Sequence, residues 1–453
     1  MRSTDLKISY TALLILFLLF SVSQAGTNPV ETVLDNGLVM VTIEDHSVPL
    51  VAVRICYHVG IKNECPGLTG ITSICEATAW QGTKSFKKGE ISRIIQSCGG
   101  NTTSRTDWDV THFYAKVPSG MLDTVLVLEA DRMAGIEMTS EKLLLAKDII
   151  RKKRLAEVES SIYGHINEEF FNLAYRSHPY GHNRYGWPED IDRMDLDDLK
   201  AYYRTYFQPA NAMIVIAGDF DSAGTAARVR ELFGSIICEP AKEWRPIGEP
   251  QSIGDRRSII EGNVGIPVFI IGYRIPGITH PDIPALRLIS NILNTGTSSR
   301  INQRMVNEEK SAMAVSGGII EAEDPGLIYS YAILNFDSPL DEGVRQMAEE
   351  IERLKMDQIT EAELEKAKNR ALVDFYRSER TLDDKTGIAA TYGMIANDIQ
   401  FRKKMIKAIK SLTLDDIMNT SQKYFDLSNR IMVIVSPPGE RPTSYHESND
   451  EQE

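Results

Sequence analysis

Cysteine is scarce in this sequence, five in 453 residues, and none falls in the paired Cys-x-x-Cys spacing of a structural zinc site. Cys56, Cys65, Cys75, Cys98 and Cys238 are odd in number, so at least one thiol stays unpaired in a monomer; an oxidising compartment would permit bridges among the first four. Basic residues are in deficit, 50 against 63 acidic, and the net charge of −13 argues against nucleic acid as a partner. Long apolar runs are missing too: the stretch at 12–22 falls short of the ~18 residues that span a bilayer core. With Arg2 and Lys7 before it and Ser23-Gln24-Ala25 after it, that stretch reads as a secretory signal peptide over residues 1–25. No cysteine follows the cut to carry a lipid, so no stable membrane anchor is expected after cleavage. The mature chain is expected to be secreted or extracytoplasmic, in the periplasm if the cell is Gram-negative. Histidine is sparse as well. Of the eight, His178 and His182 stand four apart, but the intervening Pro-Tyr-Gly marks a loop rather than a metal-binding helix.

What is present is ordinary for a globular protein, 42% hydrophobic and 25% charged, in a chain too long for one core. Its strongest pattern is internal. Leu196-Asp197-Asp198-Leu199 recurs as Leu414-Asp415-Asp416-Ile417, Tyr206-Phe207 as Tyr424-Phe425, and Asn211 as Asn429, all at an offset of 218. The apolar run 213–216 recurs at 431–434, so the chain reads as a duplicated unit. Runs rich in Val and Ile at 39–43 and 51–57, and strand-like runs at 268–273 and 327–334, predict strands; apolar residues at helical spacing predict helices at 121–133, 141–159, 283–293, 344–354 and 361–376. Interleaved strands and helices give an α+β class: two homologous domains, 26–240 and 256–438, each a sheet covered by helices, joined by an acidic, Pro-containing linker at 241–255. The polar tail at 439–453 is expected to be disordered.

Three segments carry a resemblance. They are Leu34-Asp35-Asn36-Gly37-Leu38; the run Gly-Ile-Thr-Ser-Ile-Cys-Glu-Ala-Thr-Ala-Trp-Gln-Gly-Thr at 70–83; and Tyr206-Phe207-Gln208-Pro209-Ala210-Asn211 leading into Ile214 and Gly218-Asp219. In order and spacing they are similar to the pitrilysin/insulinase family of inverted-zincin metallopeptidases, and the likeness extends over nearly the whole mature chain. The resemblance implies half of a clam-shell chamber. It also implies a His-x-x-Glu-His helix and a Glu on a following helix, with the first Glu as general base on zinc-bound water. Here the ligand positions hold Ser73, Ala77 and Lys153, and only the vestigial base, Glu76, remains. Hydroxyl, methyl and ammonium are not zinc ligands. No metal is therefore expected in this chain, and no zinc-dependent hydrolysis from it alone. One expectation is that Lys153 or its neighbour reaches into the vacated position and pairs with Glu76. The plainer one leaves 151–154 as a solvated helix face and Glu76 as a remnant.

The resemblance also points to a peptide-binding edge strand at Thr103, Ser104, Arg105 and Thr106, where the family's Asn-Ala is replaced by Thr103-Ser104. It points as well to a chamber loop at Gly296, Ser298, Ser299 and Arg300. The family's helper Arg and Tyr are replaced by Val306 and Met313. The function this implies is a non-catalytic subunit that encloses or holds peptide or unfolded polypeptide beside a zinc-bearing homologous partner, the only place a zinc cofactor is expected. The alternative is a stand-alone peptide-binding or scaffolding protein; a third reading is an active metallopeptidase with an unrecognised site.

Overall fold

A computed structural model describes residues 28–238, 248–249, 254–262, 265–357 and 359–437. The expected leader and tail lie outside the described residues, as does most of the expected linker. In the first half six strands, β1 (Val30–Val33), β2 (Val39–Glu44), β3 (Leu50–Tyr57), β4 (Asn101–Thr106), β5 (Thr111–Pro118) and β6 (Ala212–Gly218), form one sheet in the order β1-β2-β6-β3-β5-β4. The helices that matter here are α1 (Ile71–Thr78), α2 (Ser140–Arg154), α3 (Ile162–Ala174) and α4 (Leu196–Tyr206). The second half has β7 (Arg256–Glu261), β8 (Val268–Ile275), β9 (Ala312–Ile320), β10 (Gly326–Leu334) and β11 (Arg430–Ser436), ordered β7-β11-β8-β10-β9. Its helices include α5 (Ile283–Asn294), α6 (Glu361–Arg377), α7 (Leu382–Ile395), α8 (Phe401–Ser411) and α9 (Leu414–Tyr424). Each sheet is mixed: β2 runs parallel to β6, β7 parallel to β11, and the other pairs are antiparallel.

The sequence offset of 218 recurs in the elements. β3 and β8, β6 and β11, and α4 and α9 match end to end. The repeated residues show why. Asp195 and Asp198 close a capping box at the start of α4, and Thr413 and Asp416 do the same for α9, satisfying backbone N–H groups that the helix leaves unpaired. At the other end the Asn211 amide donates to the Tyr206 carbonyl and the Asn429 amide to that of Tyr424, both at 2.9 Å, turning the chain into the next strand.

β6 is buried along its whole length, so both its faces need cover. Ile214 and Ile216 pack with α1 and α4 of their own half. Met213, Val215 and Ala217 meet Leu382, Ala389 and Ala390 of α7, a helix of the other half. The exchange is reciprocal: Ile166, Phe170 and Ala174 of α3 cover Val268, Ile270, Val433 and Val435 of the second sheet. Burying the Val, Ile, Leu, Met and Phe side chains among them contributes roughly 1.5–3 kcal/mol each, so neither half completes its core alone. Gly272 marks how closely α3 seats, because a Cβ there would lie 2.3 Å from the Phe170 ring. Gly272→Val should cost about 1–3 kcal/mol, read as a lower urea midpoint.

The expected helix at 141–159 divides. The α-helix ends at Arg154 and the chain widens into a π turn, Leu155–Glu159, closed by Ser160 N–H on the Leu155 carbonyl at 2.9 Å. The cysteines form no bridges: Cys56 and Cys75 are buried as thiols, Cys65 is exposed, and Cys98 and Cys238 are half-buried. Cys56 lies in a strand and Cys75 in the helix layer over it, each held by its own packing.

Candidate functional site

The site is built on α1, whose eight residues are all buried. Its first turn is capped from outside: the Glu64 carboxylate accepts the Gly70 N–H at 2.6 Å and the Thr72 N–H at 3.0 Å. Glu64 is itself enclosed, and burial pushes its carboxyl up to about 8 against those two hydrogen bonds. Helical spacing sets Ser73 and Ala77 one turn apart with Glu76 beside them. The Ser73 hydroxyl donates to the Arg184 carbonyl at 2.6 Å, and Ala77 offers no polar atom.

Glu76 is engaged by the edge strand. Its Oε1 accepts the Ser104 hydroxyl and its Oε2 the Thr106 hydroxyl, both at 2.7 Å. The Trp80 indole N–H donates to Ser104 Oγ at 2.7 Å, which orients that hydroxyl's proton toward the carboxylate. β4 alternates as a half-covered strand should: Ser104 and Thr106 face α1, while Thr103 and Arg105 are exposed. Among the described residues it pairs with β5 alone and is the outer strand of its sheet, so its other row of backbone groups faces away from the sheet, where an added strand could pair. Arg105 pairs with Asp107 at 2.6 Å on the exposed side.

Lys153 lines the same shallow cavity as Glu76, Ala77, Trp80 and Ser104, about 340 Å³ in volume. The expected ion pair with Glu76 does not form: that carboxylate accepts from the Ser104 and Thr106 hydroxyls, and Lys153 stays exposed. Its charge is felt instead at Glu157. Burial pushes that carboxyl up, but Tyr185, Arg184 and Lys153 outweigh burial and leave it lowered. Nor are 151–154 uniformly solvated. Arg151, Lys152 and Lys153 are exposed, but Arg154 is buried and holds Glu159 and Glu168.

These residues do not fit a zinc ion. Ser73 is committed to a carbonyl, Ala77 has no donor atom, and an ammonium at 153 has no lone pair. Among the described residues no three His, Cys, Asp or Glu side chains gather to hold a metal. His178 bonds Asp324 at 3.1 Å and accepts the Tyr180 N–H; His182 is buried, which pushes its imidazole down to about 4. If Glu76 is a brace rather than an idle remnant, Glu76→Leu, which takes the acceptor from Ser104 and leaves Thr106 only the Thr111 hydroxyl at 3.2 Å, should cost about 1–3 kcal/mol in all. Glu76→Gln, which keeps an acceptor, should cost about 1 kcal/mol. Urea denaturation distinguishes this from a remnant, for which both changes would fall within about 0.5 kcal/mol.

The chamber loop is not brought to this site. Arg300 forks onto Glu363 of α6 at 2.7 and 3.2 Å, and Lys366 holds the Ser298 carbonyl and hydroxyl at 2.8 and 3.0 Å. Burial pushes the Glu363 carboxyl up, yet Arg300 and Thr360 bring it down to about 2. Gly296 takes φ +84°, which suits glycine, and Ser299 is buried. Val306 is half-buried and Met313 exposed. Sequence reasoning missed a second cleft of about 370 Å³ beyond the end of β4. Arg105, Trp108, Phe171 and Tyr185 line it, and Ile320 and Tyr329 close it from the other half. No local pattern could reveal it, because its walls come from distant segments.

Residues 39–186 match the family model described as insulinase (peptidase family M16), and residues 193–371 match the one described as peptidase M16 inactive domain. The zinc protease PqqE of Helicobacter pylori is 27% identical over 408 residues, covering 89% of this chain and 92% of that protein. The uncharacterized zinc protease YmxG of Bacillus subtilis is 21% identical, with 90% and 98% covered. The crystal structure of a protease from Helicobacter pylori superposes with a TM-score of 0.86 at 26% identity, over 91% of this chain and 100% of that one. A peptidase M16 inactive domain from Pseudomonas fluorescens gives 0.82 at 16% identity, over 90% and 98%.

Proposed function

This chain belongs to the insulinase family of peptidases (peptidase family M16), and from that premise we propose that it is an exported member without catalysis of its own. It holds an extended peptide along the open edge of β4, beside a homologous subunit that carries the zinc. The observation that carries this reading is the donor set: Ser73, Ala77 and Lys153 stand at the ligand positions, and Glu76 is tied to Ser104 and Thr106. A base without a metal has no activated water to deprotonate. Edge pairing needs only backbone groups, so it survives the loss of zinc.

A second reading, a stand-alone peptide binder, is favoured by one observation. Val306 and Met313 have no side-chain hydrogen-bond donor to lend across a chamber to a partner's zinc site.

Zinc content and peptide cleavage of the purified chain, alone and mixed with any co-encoded homologue, test both readings. No bound zinc and no cleavage alone, with cleavage raised in the mixture, is the expected result. Peptide binding without any effect in the mixture selects the second reading. Stoichiometric zinc with cleavage by the chain alone overturns both.

A further inference from the structure

Beside α4 the first half leaves a cavity of about 470 Å³, and its origin lies in how the two copies diverged. At the offset of 218 the helix Leu122–Ala134 begins where the helix Leu340–Met356 begins, but it has 13 residues against 17. Gly135, at φ +146°, carries the chain out of the shorter helix. In the second half the extra turn lies against α9: Gln422 donates to the Lys355 carbonyl at 2.9 Å, and the Lys355 ammonium to the Phe425 carbonyl at 3.0 Å. The first half has no such turn. There Ala134, Gly135 and Ile136 line an open cavity together with Lys200, Arg204 and Phe207.

Three cations stand in its wall, Lys84 from the segment after α1 and Lys200 and Arg204 one turn apart on α4. Lys84 and Arg204 are exposed and Lys200 is half-buried, so all three charges are accessible. No Asp or Glu lines the cavity, and among the described residues none of the three pairs with a carboxylate. Like charges four apart on a helix repel. The repeated helix does not require them, because α9 has Met418 and Gln422 at the same places. An uncompensated positive cluster is also out of keeping with a chain of net charge −13. Apolar side chains, among them Met133, Ile136, Phe207 and Ile236, supply the other wall. Accessible cations without counter-charge beside an apolar wall suit a multiply charged anion on an organic body. A phosphate monoester, with a charge of about −1.5 to −2 near pH 7 and three acceptor oxygens, is such a group.

We propose that this cavity binds a phosphate monoester, its phosphate held by Lys84, Lys200 and Arg204 and its organic group against the apolar wall. The proposal is independent of whether the chain pairs with a zinc-bearing subunit. A soluble ester and a lipid headgroup present the same phosphate.

Titration calorimetry of the full chain with phenyl phosphate, inorganic phosphate and benzoate tests it. Phenyl phosphate should bind saturably and at least tenfold more tightly than inorganic phosphate, which has no organic body, or benzoate, which has a single charge. Phosphatidylcholine vesicles with and without phosphatidic acid separate the sources. Sedimentation of the protein with phosphatidic acid, reversed by phenyl phosphate, assigns the ligand to lipid, and its absence assigns it to soluble esters. Lys200→Glu with Arg204→Glu should lower phenyl phosphate affinity at least tenfold with the circular dichroism melt retained. Lys84→Glu, off the helix, should lower it at least threefold and serves if the α4 variant misfolds. Lys407→Glu with Lys410→Glu makes the same charge change on α8, outside the cavity, and should leave affinity within twofold. No saturable binding, equal affinity for the three ligands, or an equal loss in the α4 and α8 variants overturns the proposal.

Discussion

Replacing Glu323 by alanine should lower stability by about 3–5 kcal/mol, read as a fall in the urea midpoint. Lys62, in the first half, is completely buried, and its ammonium donates to Glu323 of the second half. His58 shares that carboxylate at 2.5 Å and lies 3.0 Å from Lys62 Nζ. Asp109 stands 3.9 Å off, but it already accepts the Tyr180 hydroxyl and the Glu323 N–H. Without Glu323 the buried ammonium keeps the His58 ring nitrogen at 3.0 Å but no carboxylate nearer than the occupied Asp109 at 3.9 Å, and an uncompensated buried charge is the costly outcome. The paired change Lys62→Met with Glu323→Leu removes both charges and should cost less than Glu323→Ala alone; a double-mutant cycle measures the coupling.

The same contacts set an acid response. Burial pushes the Glu323 carboxyl up, but His58 and Lys62 outweigh it and leave it lowered. Asp45 is held down to about 2 by Lys385 of α7, again across the halves. A carboxyl whose folded value is depressed contributes stability above its unfolded value and loses it as pH falls through the folded one. Stability should therefore decline from the ordinary carboxylate range down to about pH 2, and Lys385→Met should flatten part of that decline in acid titrations of the urea midpoint.

Arg154→Met should also cost about 3–5 kcal/mol, whereas Lys153→Met should stay within about 0.5 kcal/mol. Arg154 donates to Glu168 at 2.8 and 3.0 Å, to Glu159 at 3.0 Å and to the Gly186 carbonyl at 2.8 Å. It ties the end of α2 to α3, the helix lent to the second sheet, and its loss leaves Glu168, in a site only 15% exposed, with the neutral Asn183 amide and no cation. Arg154→Lys should recover only part of the stability, since an ammonium cannot reproduce the two-pronged contact. Thermal or urea unfolding of the three variants side by side checks the contrast between adjacent residues.

That contrast shows how much was legible in the chain. Residues 151–154 are one basic run in the sequence, and only the turn into the π segment decides that the fourth faces inward. Ser104 and Thr106 could be placed on an edge strand from their neighbours, but their role as donors to Glu76, 28 and 30 residues away, needed the strand laid over the helix. Trp80 gave no signal of its own, since an indole in an apolar helix reads equally well as core.

The sequence by itself determined the duplication, the α+β class, the family and the loss of zinc-ligand chemistry at positions 73, 77 and 153. Each of these rests on residue identity and short-range order: a period, a cap, or a side chain with or without a lone pair. The tertiary structure alone decided the exchange of α3 and α7 between the sheets, the bonding of Glu76 to two hydroxyls, and the pairing of Lys62 with a carboxylate 261 residues away. Those depend on which surfaces meet. Burial then makes the meeting energetically decisive, because a charge or hydroxyl taken out of water must find its partner wherever the chain has brought one.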